Sequence, residues 1–384
     1  MFRIKSSITI LILIGVFFDD VPWIPGGVLK QLSLLFIFID VLLNQKILLH
    51  KNFFVFLICT SIVTVLMNFT SLTWKSGYTL VCVSVLLMWY TSNGNMTKAM
   101  ARSAINRALN FSYIFLIPLL LFYIFDYDTY KFLVKPNMVL VSKATARFAA
   151  FNSEPAFLAQ ASLMFFALVL RFELPRRHLF VLSALILFSG SFTGMFFLVV
   201  LCALSMGFTR VLFIIPIALS GIFISGIIDP YALKKLSYAF SGLDLKQIAL
   251  SDDSVLLRVY NPIFALSAVL RALGMPMGIE MSWIIYPDSY LAFSKSLMNS
   301  QEIGPIIQGH VKTSPKNLMV KLLLESGFLL VLLRSDIARI LGEFLKGNIL
   351  VIVFFLLSLV MDSYYYVPFW LLIFLFNIEK KSWL

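Results

Sequence analysis

Apolar runs long enough to become membrane helices recur from one end of this chain to the other, and nothing else in it constrains the fold as much. A helix needs about 20 consecutive apolar residues to cross a bilayer, with a range of about 17–25. Such runs fall near 4–18, 28–43, 52–69, 77–91, 109–126, 155–172, 178–190, 192–208, 210–228, 318–333, 348–362 and 365–378. The stretch 178–208 is too long for one ordinary span, and Gly190-Ser191-Phe192-Thr193-Gly194 inside it is a turn signal, so it divides there. The alternation of barrel strands is absent, and in hydrocarbon only helices satisfy every backbone group within one segment. The expected fold is all-α: a polytopic integral membrane bundle of about twelve transmembrane helices. Composition agrees. Apolar residues make up 60% of the 384 positions, phenylalanine alone fills 38, and only 13% are charged. An ordinary soluble chain has about 45–50% apolar and roughly 25% charged residues.

Basic residues orient the bundle. With the N-terminus in the cytoplasm, the cytoplasmic segments hold Arg3 and Lys5, Lys46 and Lys51, Lys98, Arg102 and Arg107, Arg171, Arg176 and Arg177, Arg210, Arg334, Arg339 and Lys346, and Lys380 and Lys381. The short external loops hold almost none, as the positive-inside rule requires. Twelve spans return the C-terminus to the cytoplasm. Asp19, Asp20 and Pro22 follow the first span where a cleaved leader would have small residues, so that span is expected to stay.

Two longer segments then lie outside, 127–154 and 229–317. The second is long enough to carry short amphipathic helices of its own. Its acidic and basic residues nearly balance, so nucleic acid is not an expected partner and any anion site there is local. No nucleotide loop, dinucleotide fingerprint, zinc spacing or serine-hydrolase elbow occurs, so no cofactor or metal is expected. Cys59, Cys82 and Cys202 all fall in expected spans and promise no disulfide.

Four groups of residues stand out. Arg147 to Pro155 closes the first long segment; Pro155 suits a first helical position and makes Glu154 the expected cap. This is either a plain helix start or an arginine and a carboxylate converging at the outer boundary, where a helix N-terminus favours anions. Ser251-Asp252-Asp253-Ser254 and Arg258 precede an apolar stretch that ends in the loop Gly274-Met275-Pro276-Met277-Gly278. Arg258, with Arg271 near it, is a candidate to meet a phosphate, because guanidinium binds phosphate bidentately. His310, the one external histidine, is either a solvated loop residue or a general base. Asn317 and Glu325-Ser326-Gly327 enter the tenth span. Glu325 is an intramembrane acid, hence a functional candidate, although Lys321 at i−4 offers a structural partner. Asp19-Asp20 and Asp362 with Tyr364, Tyr365 and Tyr366 read more simply as polar and aromatic boundary residues.

The layout resembles the Wzy-type polymerases of O-antigen and related surface polysaccharides, in the superfamily that also holds the O-antigen ligases. The resemblance rests on Arg147, Ala150, Glu154 and Pro155 before a span, on Ser254 and Arg258 early in a late external loop that ends in Gly274 to Gly278, and on Glu325-Ser326-Gly327 in the next span. The ligases often carry a His-Asn pair, whereas here His310 and Asn317 are separated. The resemblance implies metal-independent glycosyl transfer, without cofactor, at the outer face of a bacterial inner membrane. Donor and acceptor would be glycan repeat units on undecaprenyl pyrophosphate, and a chain-length regulator protein is a partner the resemblance allows. Arg147 and Arg258 would stabilise the leaving pyrophosphate, with Glu154 or His310 as base and Ser254, Arg271, Asn317 and Glu325 binding substrate. The alternatives are a ligase-like transferase, or a flippase or secondary transporter using Asp40 and Glu325 as a proton path. Against the transporter, two matched halves are absent.

Overall fold

The computed structural model describes residues 2–17, 32–43, 51–67, 74–92, 97–138, 148–150, 155–206, 244–251, 256–300, 303–310, 313, 315, 317–361, 367–368, 370–373 and 375. Among these the protein is helical throughout, with no strand. The elements are α1 (Phe2–Phe17), α2 (Leu32–Leu43), α3 (Lys51–Met67), α4 (Trp74–Ser92), α5 (Lys98–Phe125), α6 (Tyr127–Met138), α7 (Pro155–Arg171), α8 (Arg177–Phe188) and α9 (Phe192–Met206). After them come α10 (Leu245–Ser251), α11 (Asn261–Arg271), α12 (Tyr286–Phe293), α13 (Gly304–Ile307), α14 (Leu318–Ser326), α15 (Arg334–Leu345) and α16 (Ile349–Ser358). The expected span 210–228 and half of 365–378 lie outside the described residues, as do Asp19, Asp20 and Asp362.

By length and apolarity, α5 is the one described helix able to cross a bilayer alone. A second candidate arises if Leu318–Leu345 and α16, which meet at 111°, count as one broken span. Seven further apolar helices run 10–17 residues. Helices stand at most of the expected spans, with shifted ends. The largest shift is in α5, which starts at Lys98 rather than near 109; Thr97 caps it by accepting from the Met100 N–H. Its first turns carry Lys98, Arg102 and Arg107, so an apolar count passes over them. The segment 127–138, expected as loop, is the helix α6. The division at Gly190 holds: α8 ends at Phe188, the Ser189 N–H donates to the Leu185 carbonyl, and α9 starts at Phe192.

α7 is buried on all sides, from Leu158 to Val169. A helix apolar all round belongs at the centre of a bundle. It packs against α1, α8, α9 and α16, with Phe17 of α1 stacked on Phe165 at 4.6 Å. α5 packs against α1, and its buried face carries Ala101, Ala104 and Ala108, small residues that allow close packing. Its opposite side leaves Phe111, Ile114, Leu121, Ile124 and Phe125 exposed. So large an uncovered apolar face fits a lipid surround.

Polar contacts pin the helices at one end. His178 of α8 is buried and shares hydrogen bonds with Asn106 Oδ1 (2.9 Å) and the Tyr113 hydroxyl (3.2 Å) of α5. Arg102 donates to the Glu173 carbonyl at 2.9 Å, and Arg177 to Asn110 Oδ1 at 3.3 Å. Between α2 and α4, the Trp89 indole donates to Asp40 at 3.0 Å, so that buried acid has a structural partner.

The late segment builds a small core of its own from Ala249, Leu256, Tyr286, Tyr290, Leu297, Ile303 and Ile306. Asn261 and Pro262 open α11 directly after a π turn, Leu256–Tyr260. The Tyr290 hydroxyl donates to Asn261 Oδ1.

Candidate functional site

Two places gather the residues that the sequence singles out. In the first, the loop Gly274–Ser282 lies against α14. Gly327 sits at φ +51, and a Cβ there would stand 2.2 Å from the Gly274 carbonyl and 2.7 Å from Pro276 N, so no side chain fits. The close approach is used: Phe328 N–H donates to the Gly274 carbonyl (2.9 Å), Met277 N–H to the Leu324 carbonyl (3.2 Å) and Gly278 N–H to the Glu325 carbonyl (3.0 Å). The Glu325 side chain is fully buried; it accepts the Glu280 N–H at 2.8 Å and the Ser282 N–H at 3.3 Å. Glu325, expected from the resemblance to bind substrate, clamps the loop onto the helix with both carboxylate oxygens. Lys321 forms its 2.9 Å ion pair with Glu280, a residue the sequence did not mark, and both are buried. Thr79 of α4 donates to the same Glu280 oxygen at 3.4 Å, and Ile279 N–H donates to Thr64 Oγ1 of α3 at 3.0 Å. The cluster ties four elements together at one point.

The second place is a small cleft lined by Ala156, Gln160, Ser191, Thr193, Gly194 and Arg258 among others. Each wall has a local reason. Ala156 and Gln160 lie in the first turns of α7, which begins at Pro155. Ser191 precedes α9, and its hydroxyl oxygen accepts the Gly194 N–H at 3.2 Å. Gly194 lets α9 press on α7: a Cβ there would stand 2.7 Å from the Ala159 Cβ. Arg258, exposed, comes from the π turn of the late segment, and single π turns recur at functional sites.

Arg147, Glu154 and Ser254 lie outside the described residues. Their described neighbours converge on the cleft end of the bundle. Phe148 N–H donates to the carbonyl of Phe188, the last residue of α8, at 3.2 Å. Tyr123 and Tyr130 pack on the Phe148 ring, and Phe188 packs on Tyr123. The Ala149 N–H donates to the Tyr130 hydroxyl at 3.1 Å, and burial pushes that hydroxyl well above its ordinary pKa. Ala150 takes φ +49, the left-handed conformation for which glycine is the easier residue.

The remaining candidates separate. Arg258 and Arg271 stand at opposite ends of one continuous helical stretch, 256–271. At 1.5 Å per residue that is roughly 18–20 Å of axis, too far for both to grip one pyrophosphate. Arg271 is exposed in the last turn of α11, where a helix dipole favours a cation. Asn317 is the N-cap of α14, its Oδ1 accepting the Val320 N–H at 3.1 Å. His310 is exposed beside α13, its N–H on the Pro305 carbonyl. Sequence reasoning missed Gln160 and Glu280; a lone amide early in an apolar helix was the available signal for the first.

Compared with family models, with characterised proteins and with solved structures, the chain matches none.

Proposed function

We propose that this protein polymerises undecaprenyl-pyrophosphate-linked oligosaccharide repeat units into a surface polysaccharide at the outer face of a bacterial inner membrane. The observation that carries the reading is the cleft. Its walls come from the start of α7, the α8–α9 turn, the late segment and Val360, just beyond α16. The positive-inside reading puts all four of those chain positions on the external side, an agreement that the basic-residue pattern alone does not demand. The twelve-span topology with both termini cytoplasmic belongs to this proposal.

In the reaction, an acceptor sugar hydroxyl attacks the anomeric carbon of the donor glycan. The new C–O bond forms as the bond from that carbon to the pyrophosphate oxygen breaks. The pyrophosphate leaves with the electron pair, and the hydroxyl proton passes to a base, Glu154 or His310. A lipid pyrophosphate develops charge as it leaves, and a fixed guanidinium beside it stabilises that charge; Arg258 stands in the cleft for this role, with Arg147 as its proposed companion. A chain-length regulator would act on this complex from outside the chain.

The test is a glycan gel of the deletion strain beside the complemented strain. The expected result is a ladder that collapses to one repeat unit per acceptor. Loss of every repeat with polymer retained on the lipid carrier would make the protein a ligase. Single lipid-linked units trapped inside the cell would make it a flippase.

A further inference from the structure

We infer that the cytoplasmic foot of α5 and the start of α8 form a binding site for an anionic phospholipid, with its phosphate between Arg107 and Arg177 and its acyl chains along α5. The inference does not rest on the polymerase reading. It uses only the packing of the helices and the orientation that the basic residues give.

The site begins with a pattern in α5. Arg107, Asn110, Ile114, Ile117 and Leu121 recur at steps of three and four, so they form one stripe along the helix, and all five are exposed. The stripe is polar over its first turn and apolar from Ile114 onward. A helix side that passes from headgroups into hydrocarbon has that profile. α8 joins the stripe at Asn110. Arg177, the first residue of α8, donates from Nη2 to Asn110 Oδ1 at 3.3 Å. That contact brings its guanidinium onto the stripe only three residues, about 4.5 Å of helix axis, beyond Arg107. Neighbouring contacts hold α8 there: His178 shares hydrogen bonds with Asn106 and Tyr113, and Arg102 donates to the Glu173 carbonyl. Arg176, next in the chain, is exposed as well. Glu173 is the one acid in 98–110 and 171–178, against Lys98 and five arginines.

The positive-inside rule asks for these charges on the cytoplasmic side. It does not ask that two of them be drawn to the foot of one apolar stripe. Like charges side by side repel, and an anion between them turns repulsion into attraction. Guanidinium holds phosphate with paired hydrogen bonds. A ligand that offers a phosphate and, directly beyond it, hydrocarbon is a phospholipid of the cytoplasmic leaflet, where basic clusters beside membrane helices take acidic headgroups. A zwitterionic lipid brings its own ammonium and leaves the arginine pair uncompensated. A nucleic acid would use the charges and leave Ile114, Ile117 and Leu121 without a partner.

The test titrates the delipidated full-length protein in detergent with phosphatidylglycerol and with phosphatidylcholine, read by native mass spectrometry, with thermal melting in parallel. The wild type is expected to bind phosphatidylglycerol the more tightly. Arg107→Gln and Arg177→Gln should each weaken that binding about fivefold, the worth of one basic residue at an anionic surface, and leave phosphatidylcholine binding unchanged. Arg334→Gln removes an exposed arginine from α15 and should change neither. Should Arg177→Gln melt low, Arg107→Gln decides, because it leaves the hydrogen bonds between α5 and α8 in place. A wild type that does not distinguish the two lipids overturns the inference. An equal loss from Arg334→Gln does so too, since that is bulk charge. Soluble glycerol phosphate and a short single-stranded RNA should fail to displace the lipid; displacement by either makes the patch a plain anion site and overturns the lipid assignment.

Discussion

Arg258→Ala is expected to reduce polymer by ~10²–10³-fold while the protein remains folded and in the membrane, the loss typical of removing one fixed group that stabilises developing charge. The side chain is exposed on the wall of the cleft, so its removal opens no cavity and strips no buried partner. Arg258→Lys is expected to recover only part of the activity, because an ammonium is a point charge and cannot hold two phosphate oxygens in one plane. Arg271→Ala separates the roles. At the far end of the same helical stretch, it should leave polymer length near wild type. The measurement is the length distribution on a glycan gel, normalised to protein in the membrane fraction. Equal loss from both alanine variants would point to bulk charge on the late segment rather than to a site.

Lys321→Ala is expected to destabilise the protein by about 3–5 kcal/mol, the usual penalty for stripping one partner from a buried ion pair. Glu280 would be left buried, with Thr79 at 3.4 Å as a weak substitute, beside a second buried acid, Glu325. The double variant Lys321→Met with Glu280→Gln should recover most of that loss, because it removes both charges and keeps the volume. Thermal unfolding in detergent checks both. If the single variant melts like wild type, the pair is not a structural tie. If the double variant melts no higher than the single, then the penalty is not one of an unpaired charge.

What the sequence made legible was local. The break at Gly190-Ser191 could be read because turn residues interrupt an apolar run, and α8 and α9 part there. The loop character of Gly274 to Gly278 could be read for the same reason. The early start of α5 and the helix α6 could not. Lys98, Arg102 and Arg107 dilute the apolar count of one, and Pro136 with charged neighbours disguises the other. Contacts between distant segments were also out of reach. Glu280 meets Lys321 across 41 positions and Thr79 across 201, and no periodicity in either segment announces such a meeting. Glu325 drew notice as an intramembrane acid, but only geometry shows its oxygens on the Glu280 and Ser282 N–H groups. Asn317 drew notice as a substrate-binding candidate, and only geometry shows it capping α14. Gln160 gave no signal beyond being one amide in an apolar helix; its place in the cleft becomes visible once the walls are in place.

The most direct measurement is polymerisation by the purified protein in nanodiscs, supplied with undecaprenyl-pyrophosphate-linked repeat units from the source strain and with a metal chelator present. The account predicts a ladder of lipid-linked glycans that lengthens with time and is absent with Arg258→Ala. Repeat units that stay single with the wild type, while the same preparation moves them across the bilayer or transfers them to a lipid acceptor, would contradict it.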